Sequence, residues 1–166
     1  GAEGPKNVAM TAEIADGWLP LFVAPKDNDF YLNALNEGFA RPGARKTIDD
    51  FDVAAVVPLV INDDVEAAAD AMRAMLALYT GGAGAKNASF HLDVFGRMGY
   101  EEVCVKVQEL YLAGDKRAAI AAVPTSMVEA VALVGPAAKI AEDLEAWRDS
   151  VVNTLVISGP PQVLEA

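Results

Sequence analysis

A chain of 166 residues that is 53% hydrophobic carries enough apolar material for one core. Its 24 acidic against 13 basic side chains leave a formal charge of -11. That balance excludes a nucleic-acid surface, because neutralising phosphates needs a basic patch. The small cluster Arg41, Arg45 and Lys46 is offset by Asp49, Asp50 and Asp52 and reads as a solvated loop. Cys104 is the only cysteine, so no internal disulfide can form and no oxidising compartment is implied. No uncharged apolar run approaches the ~20 residues of a membrane helix. The amino terminus lacks the basic-then-apolar order of a secretory signal. The expectation is a cytoplasmic protein with a small-molecule substrate and neither nucleic-acid nor membrane partners.

In chain order, Pro5 suits the first turn of a helix, where its fixed φ helps and its missing N–H costs nothing. Val8, Ala12 and Ala15 share a face of that helix, and Gly17 is placed to stop it in the left-handed region. The apolar run 18–24, bounded by Pro25, predicts a strand buried on both faces, although Pro20 cannot donate to a central ladder. Phe30, Leu32, Leu35 and Phe39 follow at mostly helical spacing, ending at Arg41-Pro42-Gly43. Residues 53–61 form the clearest strand. Asn62 and Asp63 end it, with Asp63 and Glu66 spaced as a capping box for the next helix. Val65, Ala68, Ala69, Met72, Leu76 and Tyr79 make the apolar stripe of that helix, which Gly81-Gly82 stop.

From about 86 to 134 the pattern is helical with no strand. Val103, Val107, Leu110 and Tyr111 line a helix ending near Gly114. A short helix spans 115–123, and Thr125 or Ser126 is placed to cap another. Gly135-Pro136 opens a helix with Ile140, Leu144, Trp147 and Val151 on its core face, leading to a strand over 153–158 ended by Gly159-Pro160-Pro161. The last residues read as a surface tail. Strand, tight turn and amphipathic helix is the unit of a parallel sheet, so the class is α/β. About three parallel strands are too few for the eight strands and roughly 250 residues of a full barrel. The expectation is a single partial domain over 1–166, with unpaired sheet edges that would make it a homo-oligomer.

Few residues offer chemistry. Gly1, Gly4 and Pro5 ahead of a helix present backbone N–H groups to which a phosphate could bind, with Lys6 adding charge; a plain helix start is the competing explanation. The stretch Gly81-Gly82-Ala83-Gly84-Ala85-Lys86-Asn87 lacks Ser or Thr after its lysine and follows a helix, so it reads as a connector. His91, the only histidine, has no histidine or cysteine cluster beside it for a metal, and reads as structural in the absence of a partner. Cys104, between Val103 and Val105, reads as packed. Ser126 and Ser158 sit in no nucleophile elbow, and Asp49, Asp50, Asp52, Glu101 and Glu102 read as solvating charges. No catalytic residue is identified and no metal is expected.

Several stretches together resemble the later half of luciferase-like flavin and deazaflavin oxidoreductases. They are Gly1-Ala2-Glu3-Gly4-Pro5-Lys6-Asn7, Ala12-Glu13-Ile14-Ala15-Asp16-Gly17-Trp18, and Val134-Gly135-Pro136 with the strand Thr154-Leu155-Val156-Ile157. Arg97-Met98-Gly99-Tyr100-Glu101-Glu102 and Leu110-Tyr111-Leu112-Ala113-Gly114 resemble actinobacterial members that use coenzyme F420. The resemblance implies the carboxy-terminal portion of a TIM-like (β/α)8 barrel, incomplete, with extra helices inserted before the last strand. It also implies a turn after the fifth strand that holds the cofactor phosphate, carried here by Glu3, Gly4, Lys6 and Asn7. Glu3 stands where many relatives have a small residue, so its carboxylate must turn away from phosphate or meet a cation. The backbone N–H groups of Gly4, Lys6 and Asn7 are the safer choice. Relatives that oxidise sugar phosphates have polar and basic residues where this chain has Leu21, Phe22, Val23 and Ala24. That implies a less charged substrate, with plain core packing the alternative. The implied activity is hydride transfer between F420 and an organic substrate in the intact protein, the 166 residues alone being inactive. FMN with monooxygenase chemistry is the rival cofactor reading, and a small non-catalytic assembly protein is the reading from another class.

Overall fold

A computed structural model describes residues 2–83 and 90–158. Its centre is one strand, β2 (Asp52–Ile61), whose alternation buries Val53, Ala55 and Val57 completely and leaves Ala54, Val56 and Pro58 half-covered on the opposite face. Three parallel partners share its length. β1 (Gly17–Trp18) pairs with Asp52 and Val53, β4 (Thr154–Ser158) with residues 54–58, and β3 (Leu133–Gly135) with residues 59–61. Pro58, which has no N–H to give, stands where the ladder passes from β4 to β3.

Eight α-helices accompany the sheet among the described residues: α1 (Pro5–Ile14), α2 (Asn28–Phe39), α3 (Val65–Ala77), α4 (Phe90–Phe95), α5 (Glu101–Leu112), α6 (Lys116–Ala121), α7 (Thr125–Glu129) and α8 (Ala137–Arg148). Two cores result. One lies between the sheet and α1, α2 and α8, built from Val8, Tyr31, Leu35, Val53, Val57, Ile140 and Trp147. The other lies among α3 to α7 and includes Met72, Leu76, Phe95, Val107 and Met127. Leu133 and Val134 of β3, neighbours in sequence, join different cores, as strand alternation requires. α1 and α2 approach closely because Gly38 has no side chain: a Cβ there would lie 2.0 Å from the Ala9 carbonyl oxygen.

Several sequence expectations are corrected. The run 18–24 contributes only Trp18 to the sheet; its buried residues Phe22, Val23 and Ala24 instead pass between the two cores. Burial on all sides makes such a run apolar whether or not it is a strand, and Pro20 removes a ladder donor. Gly17 is no left-handed stop. It lies in β1, where a Cβ would meet the Asp52 carbonyl oxygen at 2.7 Å, and α1 ends in extended backbone at Ala15. The cap of α3 is Asp64, not Asp63: its Oδ1 accepts from the N–H of Glu66 and Ala67 at 3.0 and 3.3 Å. Pro124 is the cap of α7, while the Thr125 hydroxyl is engaged with Glu66 and Arg73. β3 was unexpected, since three residues are too short to show a period, and the described sheet therefore has four strands. The helices over 101–112, 116–121 and 137–148 and the strands over 52–61 and 154–158 match their expected positions. The expected stop at Gly159-Pro160-Pro161 and the tail lie outside the described residues.

Overpacking a closed helix contact costs about 1–3 kcal/mol. Gly38→Ala should therefore lower the urea midpoint by the equivalent amount with the slope unchanged. Cys104 is buried, and desolvation pushes its thiol up to about 12. The native protein at pH 8 should take up no maleimide, whereas urea-unfolded protein should label stoichiometrically.

Candidate functional site

The turn before α1 is tied to the sheet at its first described residue. Trp18, the last residue of β1, is almost fully buried and donates its indole N–H to the Ala2 carbonyl oxygen at 2.8 Å. Gly4 follows in extended backbone as the cap of α1, and Pro5 begins the helix. The Gly4 carbonyl oxygen accepts from Asn7 and Val8, both at 3.0 Å, so the Asn7 N–H is engaged within the turn itself. No side chain caps α1, and among the described residues no hydrogen bond takes up the N–H of Gly4 or Lys6. The positive end of the helix thus opens into a pocket of about 360 Å³ lined by Ala2, Glu3, Gly4, Asn7, Phe90 and His91. Of the four residues expected to hold a phosphate, Glu3, Gly4 and Asn7 line this pocket. Lys6 is exposed and lies outside its lining.

Glu3 meets a cation-forming group. Its Oε2 lies 3.2 Å from His91 Nδ1, and the side chains are 13% and 19% exposed. The contact is close but badly aligned, so neither atom has a hydrogen-bond partner. The His91 ring is held edge-on against Phe22 at 5.6 Å and Tyr79 at 5.0 Å. His91 therefore lines the pocket and faces a carboxylate, a neighbour its sequence reading lacked. Glu3 is remote from it in sequence, so no local spacing signals the contact.

A second cluster lies against the first. The Arg97 guanidinium stacks 4.2 Å from the Phe30 ring centre, and its Nη2 reaches the Glu3 carbonyl oxygen and the Tyr31 hydroxyl, both at 3.5 Å. Arg97 Nε and Asp27 Oδ2 are buried without hydrogen-bond partners. Burial raises the Asp27 carboxyl above the ordinary range, opposed by the nearby charges of Lys26 and Arg97. Burial likewise raises the Tyr31 phenol, against the pull of Arg97. Lys26 donates to the Met98 carbonyl oxygen and lies 5.0 Å from the Tyr100 ring centre. Gly99, at φ 86°, lets the turn Gly96–Tyr100 bring these contacts together.

The remaining candidates stand in the following surroundings. Gly81 and Gly82 pack on Tyr111, where a Cβ would come within 2.7 and 2.4 Å of the ring side chain; residues 84–87 of that stretch lie outside the described residues. Asp52 Oδ1 accepts the Thr154 hydroxyl at 2.8 Å, and Glu101 and Glu102 lie in the first turn of α5. Ser158 and Leu21 help line a smaller apolar pocket of about 100 Å³ with Phe22, Val56 and Pro58. Among the described residues no cluster of His, Cys, Asp and Glu could hold a metal, and no helix is long and apolar enough to cross a membrane.

The family model of luciferase-like monooxygenases matches residues 1–154. A Mycobacterium tuberculosis protein described as a coenzyme F420-dependent oxidoreductase is 43% identical over 158 residues, covering 95% of this chain and 46% of the relative. The 5,10-methylenetetrahydromethanopterin reductase of Methanopyrus kandleri is 28% identical over 96% of this chain and 44% of its own length. The solved structure of a coenzyme F420-dependent tetrahydromethanopterin reductase from Methanopyrus kandleri superposes with a TM-score of 0.74 at 27% identity, over 96% of this chain and 44% of that one. An F420-dependent secondary alcohol dehydrogenase, at 15% identity and a TM-score of 0.63 over 93% of this chain and 40% of its own, shares the fold. The chain spans less than half the length of these relatives. It belongs to the luciferase-like monooxygenase family, with an α/β fold and parallel sheet like those of the F420-dependent reductase.

The raised Asp27 carboxyl carries a pH signature. The native state holds this proton more tightly than the unfolded chain, so stability falls as pH rises from about 3.9 through the raised value. Asp27→Asn should remove that loss. Its urea midpoint should exceed that of the wild type at pH 7, and the two should converge near pH 3.

Proposed function

We propose, with that family as the premise, that this chain is the later part of a luciferase-like (β/α)8 barrel in a coenzyme F420-dependent oxidoreductase. In this reading β1, β2 and β4 are the last barrel strands, and the helices over about 86–134 are an insertion before β4. The observation that carries the reading is the pocket at the start of α1, lined by Gly4, whose N–H at the positive end of the helix takes part in no hydrogen bond among the described residues. A phosphate-bearing cofactor fits there, because the one carboxylate in the wall, that of Glu3, is drawn onto His91.

When bound, the deazaflavin supplies the acceptor or donor for hydride. The parts played by this chain are binding and orientation. Trp18 fixes the turn through Ala2, and Gly4 and Lys6 present backbone donors to a phosphate oxygen. Phe90 covers the pocket with apolar surface. The apolar pocket formed by Leu21, Phe22, Val56 and Pro58 favours an uncharged organic substrate.

Calorimetric titration of the intact protein should show saturation by F420 at micromolar concentration and none by FMN. Saturation by FMN instead would overturn the deazaflavin reading in favour of a flavin enzyme. A Cβ at Gly4 would meet nothing within 4 Å, and its φ of -80° suits any residue. Gly4→Ala should therefore keep wild-type stability but intrude on the bound phosphate. It should weaken F420 by about tenfold, equivalent to about 1.4 kcal/mol.

A further inference from the structure

Resting on that reading, we propose that His91 is a positioning residue of the anion turn. Its imidazole holds the Glu3 carboxylate away from the free N–H groups of Gly4 and Lys6, and so sets how tightly the pocket takes a phosphate-bearing ligand.

The argument starts from what Glu3 would do alone. A carboxylate immediately before a helix cap is attracted to the helix N-terminus, where it can accept from uncommitted N–H groups. Tethered one residue from Gly4, it would compete with any external anion at a high effective concentration. If it remained nearby but unpaired, its negative charge would repel that anion instead. Either outcome weakens phosphate binding. In the structure Glu3 does not cap α1, and its Oε2 lies instead 3.2 Å from His91 Nδ1, close to the imidazole though without hydrogen-bond alignment.

His91 is built to hold that position. It lies in α4, and its ring is fixed edge-on by Phe22 from the segment after β1 and by Tyr79 from the turn after α3. The main chain of Glu3 is approached from another side by Arg97 Nη2 at 3.5 Å. Glu3 is thus steered by side chains from two places in the helical segment, both remote from it in sequence. His91 touches no reacting atom here; it acts through Glu3.

A double-mutant cycle tests this in the intact protein. His91→Phe keeps an aromatic ring against Phe22 and Tyr79 but removes the nitrogen. It should weaken F420 binding by about tenfold, whereas Glu3→Gln should bind at least as tightly as wild type. The double variant should return to within about twofold of Glu3→Gln, since without the carboxylate there is nothing left to hold. The deazaflavin chromophore lacking its phosphate arm should bind all four proteins alike. Inorganic phosphate, followed by ³¹P line broadening, is a second probe of the same cycle. A double variant as weak as His91→Phe with both probes would overturn the proposal, as would phosphate broadening that is absent or equal in all four proteins. Failure of F420 to bind the wild type, with the phosphate cycle intact, would overturn the cofactor reading and leave the role of His91 standing.

Discussion

The parallel ladder along β2 is the constraint from which the other features of the molecule follow. Its ten residues take three different partners in succession, and its fully buried face supplies Val53, Ala55 and Val57 to the core beneath α1, α2 and α8. The pairing of Gly17 with Asp52 is possible only because Gly17 has no side chain to strike the Asp52 carbonyl. That register places Trp18, and Trp18 in turn holds the Ala2 carbonyl oxygen. The turn before α1 therefore inherits its position from β2, through two residues of strand and one indole hydrogen bond. At the other edge Asn153 stitches β4 to the same strand, accepting from the Val53 N–H and donating to the Phe51 carbonyl oxygen.

Polar groups in the helical segment divide into two kinds. Arg73 is almost covered, and it is fully engaged: its guanidinium meets Glu66, Asp70, the Thr125 hydroxyl and the Val123 carbonyl oxygen. Such a network joins α3 to α7 and needs no ligand to explain it. Around the turn the situation is the reverse. The buried side-chain atoms without hydrogen-bond partners among the described residues belong to Glu3, Asp27, His91 and Arg97. Burying a polar atom without a partner costs free energy, so such atoms are few in folded proteins. Here Glu3 and His91 line one pocket, and Arg97 reaches the Glu3 main chain beside it.

The helical segment gains its significance from this arrangement. α3 to α7 close a core around Leu76, Phe95 and Met127, to which Val134 of β3 and Phe22 and Ala24 also belong. From that base the stretch from Phe90 to Tyr100 reaches back over the start of α1, setting His91 against Glu3 and Arg97 against Phe30 and Tyr31. The start of α4, between β2 and β4, thus becomes part of the wall of the pocket.

By itself, the sequence determined the elements whose side chains repeat with a clear period, and it identified the family. The alternation over 53–61, the stripe beginning at Val65 and the Pro136 start of α8 are local patterns of burial, readable because one face of each element is always inside. The turn proposed to take a phosphate was legible as glycine and proline ahead of a helix. Only the tertiary structure decided which buried apolar residues were strand and which were passage: 18–24 looks like β2 in composition, and only hydrogen-bond partners distinguish them. It also decided that Pro124 rather than a hydroxyl caps α7, and that three buried residues at 133–135 join the sheet. Above all it decided what His91 faces. The carboxylate 3.2 Å from its ring belongs to Glu3, which is remote from it in sequence. Local patterns are written in neighbouring residues; sites are made by residues that folding brings together.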